Sequence, residues 1–331
     1  MNFDKLKEKK ILVTGGAGFI GSNICKTLVD LNADVYCLDN LSTGHKSNIE
    51  CLINRKNFKF LQGDITDLKT CQFSCQNMDF VLHQAALGSV PRSIKDPLTT
   101  NNVNITGFLN MLISSRDNNI KRFIFAASSS TYGDSKSLPK LENIIGKPLS
   151  VYATTKYVNE LYAENFNKLY DLDTIGLRYF NVFGPNQDPN GPYAAVIPKF
   201  INKLIKYESP IINGDGSFSR DFTYVDNVVN MNLLALCSEN KNSLNQIYNT
   251  ACGERTSLVK LVELLKGFLS KWDDKINDVQ IKFGPEREGD IPHSLASIEK
   301  SKKLLKYNPK YSIELGLKVS IDWYWNNLKN Q

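Results

Sequence analysis

The chain has 331 residues, 42% of them hydrophobic and 22% charged, an ordinary globular composition that excludes a disordered or fibrous protein. Its length suggests roughly two domains at about 150 residues each, with enough buried surface to hold a core without disulfide staples. No apolar run approaches the ~20 residues of a membrane span, and the charged opening segment Met1–Lys10 shows no signal-peptide core, so a cytoplasmic protein is expected.

The formal net charge is +6 and the pI is near 8.8. That excess fits either an anionic partner or lysines scattered over a solvated surface. No basic stripe interleaved with aromatics is present, so nucleic acid is not indicated. Seven cysteines (Cys25, Cys37, Cys51, Cys71, Cys75, Cys237 and Cys252) sit mostly in apolar runs. No Cys/His pair completes a zinc site beside Cys71 and Cys75, so free thiols and no metal are expected.

In chain order, apolar and β-branched runs predict buried strands at Lys10–Thr14, Asp34–Leu38, Phe58–Gln62, Asp79–Gln84, Lys121–Ala127 and Asp173–Arg178. Helical spacing lies between them at Phe19–Leu31, Leu98–Ser115 and Tyr152–Tyr170. Strand–helix alternation predicts an α/β fold of Rossmann type, a doubly wound parallel sheet covered on both faces. After Arg178 the order changes. The Gly-, Pro- and Asn-rich stretch Asn181–Tyr193 leads into shorter, mixed elements. The expected division is therefore a dinucleotide domain over 1–180 and a smaller mixed α/β substrate domain over 181–331. Residues 221–250, including Gln246–Thr250, are candidates to pack back on the first.

The strand Lys10–Thr14 runs into Gly15-Gly16-Ala17-Gly18-Phe19-Ile20-Gly21 and then a helix. Gly15 permits the tight turn, Gly18 lets backbone approach a pyrophosphate, and Gly21 lets helix and strand pack closely. The helix N-terminus supplies free N–H groups for the phosphates. A glycine triplet alone is weak, but strand before and helix after are the context this chemistry needs. Asp39 ends the next strand, where a carboxylate binds both ribose hydroxyls and repels a 2′-phosphate, which selects NAD; the other reading of Asp39-Asn40 is a turn. Asn40, Ser42, Thr43 and Gly44 follow it. Asp64-Ile65 and Gln84-Ala85-Ala86 end later strands, where ligands bind in open α/β sheets.

Tyr152 and Lys156 are spaced to share one helical face, though such pairs also arise by chance on surfaces. Ser128, Ser129 and Ser130 end the fifth strand at the same sheet edge as the glycine loop. A phenol near its usual pKa of about 10 is a poor base. A nearby ammonium and a positive nicotinamide would lower that value and let Tyr152 remove a hydroxyl proton as hydride leaves the same carbon.

Together Thr14–Gly21, Ser128 and Tyr152/Lys156 resemble the extended short-chain dehydrogenases/reductases over almost the whole chain. The strings His83–Ala86, Arg178–Gly184, Arg220-Asp221-Phe222 and Arg287-Glu288-Gly289-Asp290 resemble nucleotide-sugar 4-epimerases, and Leu87–Ile94 and Gln187–Phe200 resemble bacterial types preferring UDP-N-acetylglucosamine and UDP-N-acetylgalactosamine. This resemblance implies a Tyr152 base, NAD as hydride acceptor and a 4-keto sugar that turns over in the pocket, held through its UDP. It implies Arg220 and Arg287 on the pyrophosphate, for which bidentate guanidinium is suited. Asp290 would hold the uridine ribose, Asn181 a phosphate or sugar oxygen, and Tyr179 would lie beside the nicotinamide. Val196 and Ile211–Asn213 would frame the uracil, with Ser89 and Ser129 also at the substrate.

Gly88, Ser128, Asn181, Gln187, Ala195 and Ser294 would line the sugar pocket. Ser294 and Ala195 stand where glucose/galactose enzymes of the family carry tyrosine and asparagine, leaving room for an acetamido group. Such small residues permit N-acetylated sugars without compelling them, so another UDP-sugar, glucose/galactose or a uronic acid, is an alternative. A 4,6-dehydratase would need an Asp-Glu pair after a threonine where this chain has Ser128-Ser129-Ser130-Thr131. A catalytically silent NAD-binding regulator is opposed by the intact Ser128, Tyr152 and Lys156. Val151 departs from the family's proline, leaving that turn less fixed. Leu98–Ser115 and Tyr152–Tyr170 carry apolar faces that in the superfamily it resembles often pair across a dimer, so the resemblance implies a homodimer.

Overall fold

The computed structural model describes residues 3–189, 195–286 and 292–329. Strands β1 (Lys10–Thr14), β2 (Asp34–Asp39), β3 (Phe58–Gln62), β4 (Phe80–His83), β5 (Arg122–Ser128) and β6 (Thr174–Tyr179) alternate with helices α1 (Phe19–Asp30), α2 (Leu68–Cys75), α3 (Val90–Lys95), α4 (Pro97–Asn101), α5 (Gly107–Asp117) and α6 (Val151–Tyr170). Runs of Val, Ile, Leu and Phe bury both strand faces, as a sheet covered on both sides requires.

The smaller lobe holds paired short strands: β7 (Val182–Phe183) with β10 (Thr223–Tyr224), β8 (Ile211–Asn213) with β13 (Lys282–Gly284), and β9 (Ser219–Arg220) with β12 (Thr256–Ser257). Its helices are α7 (Val196–Ile205), α9 (Leu258–Leu269) and α11 (Ile313–Leu328), whereas α10 (Glu299–Leu305) packs on the outer strand of the central sheet, where Ser301 bonds the Asn249 carbonyl.

With β11 (Gln246–Thr250), the central sheet has seven strands in the order β11-β6-β5-β4-β1-β2-β3, all parallel. Its outer strand β11 and the helix α8 (Val225–Cys237), which packs against α1, come from beyond residue 180. Strand order reverses between β1 and β4, and a crevice opens at the carboxyl ends there. One apolar core on the α1/α8 face continues through Phe183 and Tyr224 into Leu261 and Leu317, joining the lobes. A second lies between the other face and α2, α5 and α6. All seven cysteines are free, with Cys51 exposed and Cys252 partly so. No helix among the described residues is long and apolar enough to cross a membrane.

The helix expected over Leu98–Ser115 is not continuous. Asn102–Thr106 widens into a π turn between α4 and α5. The cause is Asn104, whose amide bonds both backbone groups of Leu87 (2.8 and 3.2 Å) and the Thr155 hydroxyl (3.1 Å). Apolar periodicity cannot register such a break, because the partners lie far away in sequence.

His83, at the end of β4, stacks on Phe123 (5.6 Å) and meets the edge of Phe108 (5.4 Å). Burial, then the charge of Lys156, pulls its pKa down to about 3. The unfolded chain therefore takes up a proton as pH falls through about 6.5, whereas the folded chain does not until about 3. His83 must then subtract stability on acidification in that window, at about 1.4 kcal/mol per pH unit. His83→Gln is expected to flatten the pH dependence of urea-unfolding stability between those two values by that amount. An unchanged slope would contradict the assignment.

Candidate active site

The glycine loop forms because β1 must turn sharply into α1. Gly15 has φ +66°, its N–H donates to the Leu38 carbonyl (2.8 Å), and a Cβ there would meet the Ala85 backbone at 2.7 Å. A Cβ on Gly21 would lie 2.1 Å from the Gly15 carbonyl oxygen, so the loop closes this tightly only with glycine. Gly18 is the N-cap of α1 and gives no side-chain cap, leaving the first-turn N–H groups for a ligand.

Asp39 Oδ2 accepts from Ala17 N at 3.0 Å and Oδ1 from Leu41 N at 2.8 Å. An ionised carboxylate has about four acceptor sites, so two remain for ribose hydroxyls. The donor-rich loop, the uncapped helix and this carboxylate fit NAD.

These groups border a cavity of about 450 Å³. Of the residues expected at the cofactor, Gly15, Gly18, Phe19, Ile20, Gly21, Asp39, Asn40, Ser42, Thr43, Asp64, Ile65, Gln84, Ala85, Ala86, Tyr152, Lys156 and Tyr179 line it. Gly44 does not. It supports the wall from behind, where a Cβ would meet Ala17 at 2.8 Å and Asp39 at 3.0 Å. Asp64 is held below the usual carboxylate range by hydrogen bonds from Thr66 and Asn40 that overcome its burial. Tyr179 donates to Gln84 Oε1 (2.9 Å) and accepts from Asn232 Nδ2 (2.9 Å).

Ser128 ends β5, and Tyr152 and Lys156 lie in the first turns of α6, capped by Ser150. The Ser128 hydroxyl accepts from Ser130 Oγ at 2.9 Å and from Ser130 N at 3.1 Å, and it stands close enough to the Tyr152 phenol to favour its charged form. Lys156 Nζ donates to the Ala126 carbonyl at 2.8 Å. Burial pulls Lys156 down to about 8. Burial also pushes the Tyr152 phenol up, and the Ser128 hydroxyl only partly offsets it. For the phenol, desolvation of the charged form dominates.

A second cavity of about 190 Å³ adjoins the first at Ser128 and Asn181. Ser129, Arg220 and Ser294 line it, and Gly88 lines the first. Asn181 Nδ2 donates to the Asp221 carbonyl (3.0 Å). The Asp221 carboxylate accepts from Cys252, Gly253 and Ala296 backbone N–H groups, fixing the strand end that carries Arg220.

Five other residues expected at the substrate line neither cavity and a sixth only caps a helix. Gln187 donates to the Val182 carbonyl, Ala195 is exposed at the N-cap of α7, Val196 begins that helix, and Ile211 and Asn213 lie on β8 with Ile211 half exposed. Ser89 caps α3 at φ 105°. Arg287 and Asp290 lie outside the described residues.

Sequence reasoning missed Arg92 and Val103 in the larger cavity and Tyr132 and Lys140 in the smaller. It also missed Asn104, which ties the loop after β4 to α6. An Asn inside an apolar helical run is the signal that could have found it.

A family model described as the NAD dependent epimerase/dehydratase family matches residues 11–251. The chain belongs to this family. It is 39% identical over 319 residues to a putative UDP-glucose 4-epimerase of Methanocaldococcus jannaschii, covering 96% of this chain and 99% of that one. It is also similar to the solved UDP-N-acetylglucosamine 4-epimerase from Methanobrevibacter ruminantium M1 in complex with UDP-N-acetylmuramic acid (TM-score 0.90, 39% identity, 97% and 99% of the two chains). A further likeness is to UDP-glucose 4-epimerase from Thermotoga maritima with UDP-glucose (TM-score 0.88, 37% identity, 96% and 99% covered). The Rossmann-type fold and the NAD dependence of the family agree with the glycine loop and Asp39.

Gly21→Ala forces its Cβ against the Gly15 carbonyl, so the loop must open. Calorimetric titration with NAD is expected to show at least about tenfold weaker binding, the equivalent of ~1.4 kcal/mol, in a variant that stays folded. Unchanged affinity would mean the loop does not hold the dinucleotide.

Proposed function

We propose that the protein is an NAD-dependent UDP-sugar 4-epimerase that interconverts UDP-N-acetylglucosamine and UDP-N-acetylgalactosamine. The observation that carries this reading is the meeting of Ser128, Tyr152 and Lys156 where the dinucleotide cavity joins the smaller one. The family and the 4-epimerase relatives support it.

In this reading Tyr152 takes the proton of the 4-hydroxyl, and the Ser128–Ser130 hydroxyl chain orients that oxygen and shares the proton. Lys156, charged, stabilises the phenolate. NAD, which the glycine loop and Asp39 would hold, would supply reversible hydride transfer at C4. Arg220 holds the pyrophosphate while the sugar turns, so binding energy remote from C4 keeps the intermediate in the pocket. Sugar-binding roles for Gly88, Ser129, Asn181 and Ser294 are supported by their place along the two cavities, and those for Arg287 and Asp290 rest on the resemblance alone.

The N-acetyl preference rests on Ser294, whose small side chain lines the smaller cavity. Ala195 lines neither cavity, so it adds no support from geometry. A UDP-glucose/galactose or UDP-uronate 4-epimerase is the second reading, favoured by the relatives named for UDP-glucose.

Purified enzyme with NAD is expected to convert UDP-N-acetylglucosamine to UDP-N-acetylgalactosamine, resolved by proton NMR, and Ser294→Tyr should lose at least about tenfold in kcat/KM on it, ~1.4 kcal/mol of transition-state binding, while sparing UDP-glucose. No N-acetylgalactosamine product at equilibrium would overturn the substrate assignment. Tyr152→Phe should keep NAD and lose turnover.

A homodimer fits the same reading. Leu98 on α4 is 83% exposed and Leu169 on α6 is 70% exposed, with Leu161 and Tyr170 on α6 also open. Light scattering should give twice the 37.3 kDa chain mass; a monomer at micromolar concentration would contradict it.

A further inference from the structure

The smaller cavity carries a cation that the reaction leaves unused. Lys140 lines it together with Ser128, Ser129, Ser130, Asn181 and Arg220, and is only 3% exposed. Its main chain is fixed on both sides. The N–H donates to the Leu295 carbonyl at 2.7 Å, and the carbonyl accepts from Ser297 N at 3.0 Å and from Asn249 Nδ2 at 2.9 Å. Asn249 also accepts from the hydroxyl of Tyr132, another lining residue, at 2.6 Å, so two walls of the cavity share one anchor. The Lys140 ammonium donates to the Ser135 carbonyl, and the Ser135 N–H bonds the Tyr132 carbonyl at 3.1 Å. An ammonium has three donors, so two remain for a ligand.

No protein anion answers this charge. Among the described residues no ion pair involves Lys140, and none of those lining the cavity is acidic. Glu142, two residues on, directs Oε1 to the Asn249 N–H at 3.0 Å. Burial accordingly pulls the Lys140 ammonium below its ordinary value. A dry cation without a partner is costly, and its place on a cavity wall makes sense when the ligand brings the anion.

We propose that Lys140 is a specificity-determining residue: it receives a carboxylate carried on the sugar ring, so that the enzyme takes UDP-N-acetylhexosaminuronates as further substrates and binds them ahead of their neutral counterparts. The proposal rests on the reading of the smaller cavity as the sugar pocket. In that reading C4 lies at Ser128 and the pyrophosphate at Arg220, which leaves Lys140 to face an edge of the ring. The edge group next to C4 is C6 in one orientation of the turning sugar, and C6 carries the carboxylate of a hexuronate. Arg220 is held apart from this role, because its Nη1 donates to the Ser219 and Pro292 carbonyls, both at 3.1 Å, and its charge serves the pyrophosphate. A point charge on a flexible stem suits a carboxylate that moves as the ring turns.

The test compares matched pairs on the NAD-loaded enzyme: UDP-N-acetylglucosaminuronate against UDP-N-acetylglucosamine, and UDP-glucuronate against UDP-glucose. Calorimetric titration is expected to show at least about tenfold tighter binding of each acidic member, the scale of one charge-assisted hydrogen bond. Proton NMR should show both N-acetylated sugars inverted at C4. Lys140→Met should lower the acidic-to-neutral binding ratio at least about tenfold, whereas Lys140→Arg should keep most of it. A lysine that serves only the loop or a neutral hydroxyl would weaken both members alike. An unchanged ratio in folded Lys140→Met therefore overturns the proposal. Equal binding of both members by the parent enzyme overturns it too, and needs no variant to fold. Tight binding of the acidic sugar without its turnover, in an enzyme that inverts the neutral one, would contradict its place as a substrate. The two assignments fail separately. Turnover of neutral sugars with no preference for acidic ones rejects Lys140 alone, whereas a Lys140-dependent preference without any turnover rejects the epimerase and keeps Lys140 as the anion site.

Discussion

Seven parallel strands must all end at one edge of their sheet, and the site depends on that constraint. It brings Gly15 after β1, Asp39 at the end of β2, Gln84 after β4, Ser128 at the end of β5 and Tyr179 at the end of β6 to one cavity wall. None of these residues is near the others in sequence. The crossover helix α6 then lays Tyr152 and Lys156 over the same edge. The outer strand β11 and helix α8 extend the frame, because Asn232 on α8 closes the hydrogen-bonded triad with Tyr179 and Gln84.

The second governing effect is loss of water. Lys156 and His83 are buried and Tyr152 is half-buried, and desolvation acts on each in favour of its neutral form. Polar partners answer that loss of water: Lys156 Nζ donates to the Ala126 carbonyl, His83 bonds the Thr14 hydroxyl, and Glu160 is held at both oxygens by Arg178.

The glycine loop, Asp39 and the Tyr152/Lys156 pair were legible in the sequence because each is a local pattern with its chemistry in a few adjacent positions. The parallel sheet was legible because its strands are short apolar runs bounded by turns. What escaped were features made by distant partners. The π turn at Asn102–Thr106 exists for the bonds of Asn104 to Leu87 and Thr155, and its composition is that of a helix. Lys140 and Tyr132 reach the smaller cavity only through tertiary packing. Gln187 and Asn213 were placed at the sugar-nucleotide by pattern, yet Gln187 is bound to the Val182 carbonyl and Asn213 lies on β8, away from both cavities. The bidentate contact of Glu160 with Arg178 likewise joins two residues far apart in sequence, which no local pattern announces.

The central claim is that C4 is oxidised and reduced by internal hydride transfer while Tyr152 handles only the hydroxyl proton. It is tested most directly by following UDP-N-acetylglucosamine carrying deuterium at C4 through epimerisation in ordinary water by NMR. The account predicts that the product keeps the deuterium at C4, because the hydride leaves and returns without meeting solvent. Loss of the label to water would show that C4 is inverted by proton exchange and would contradict the account.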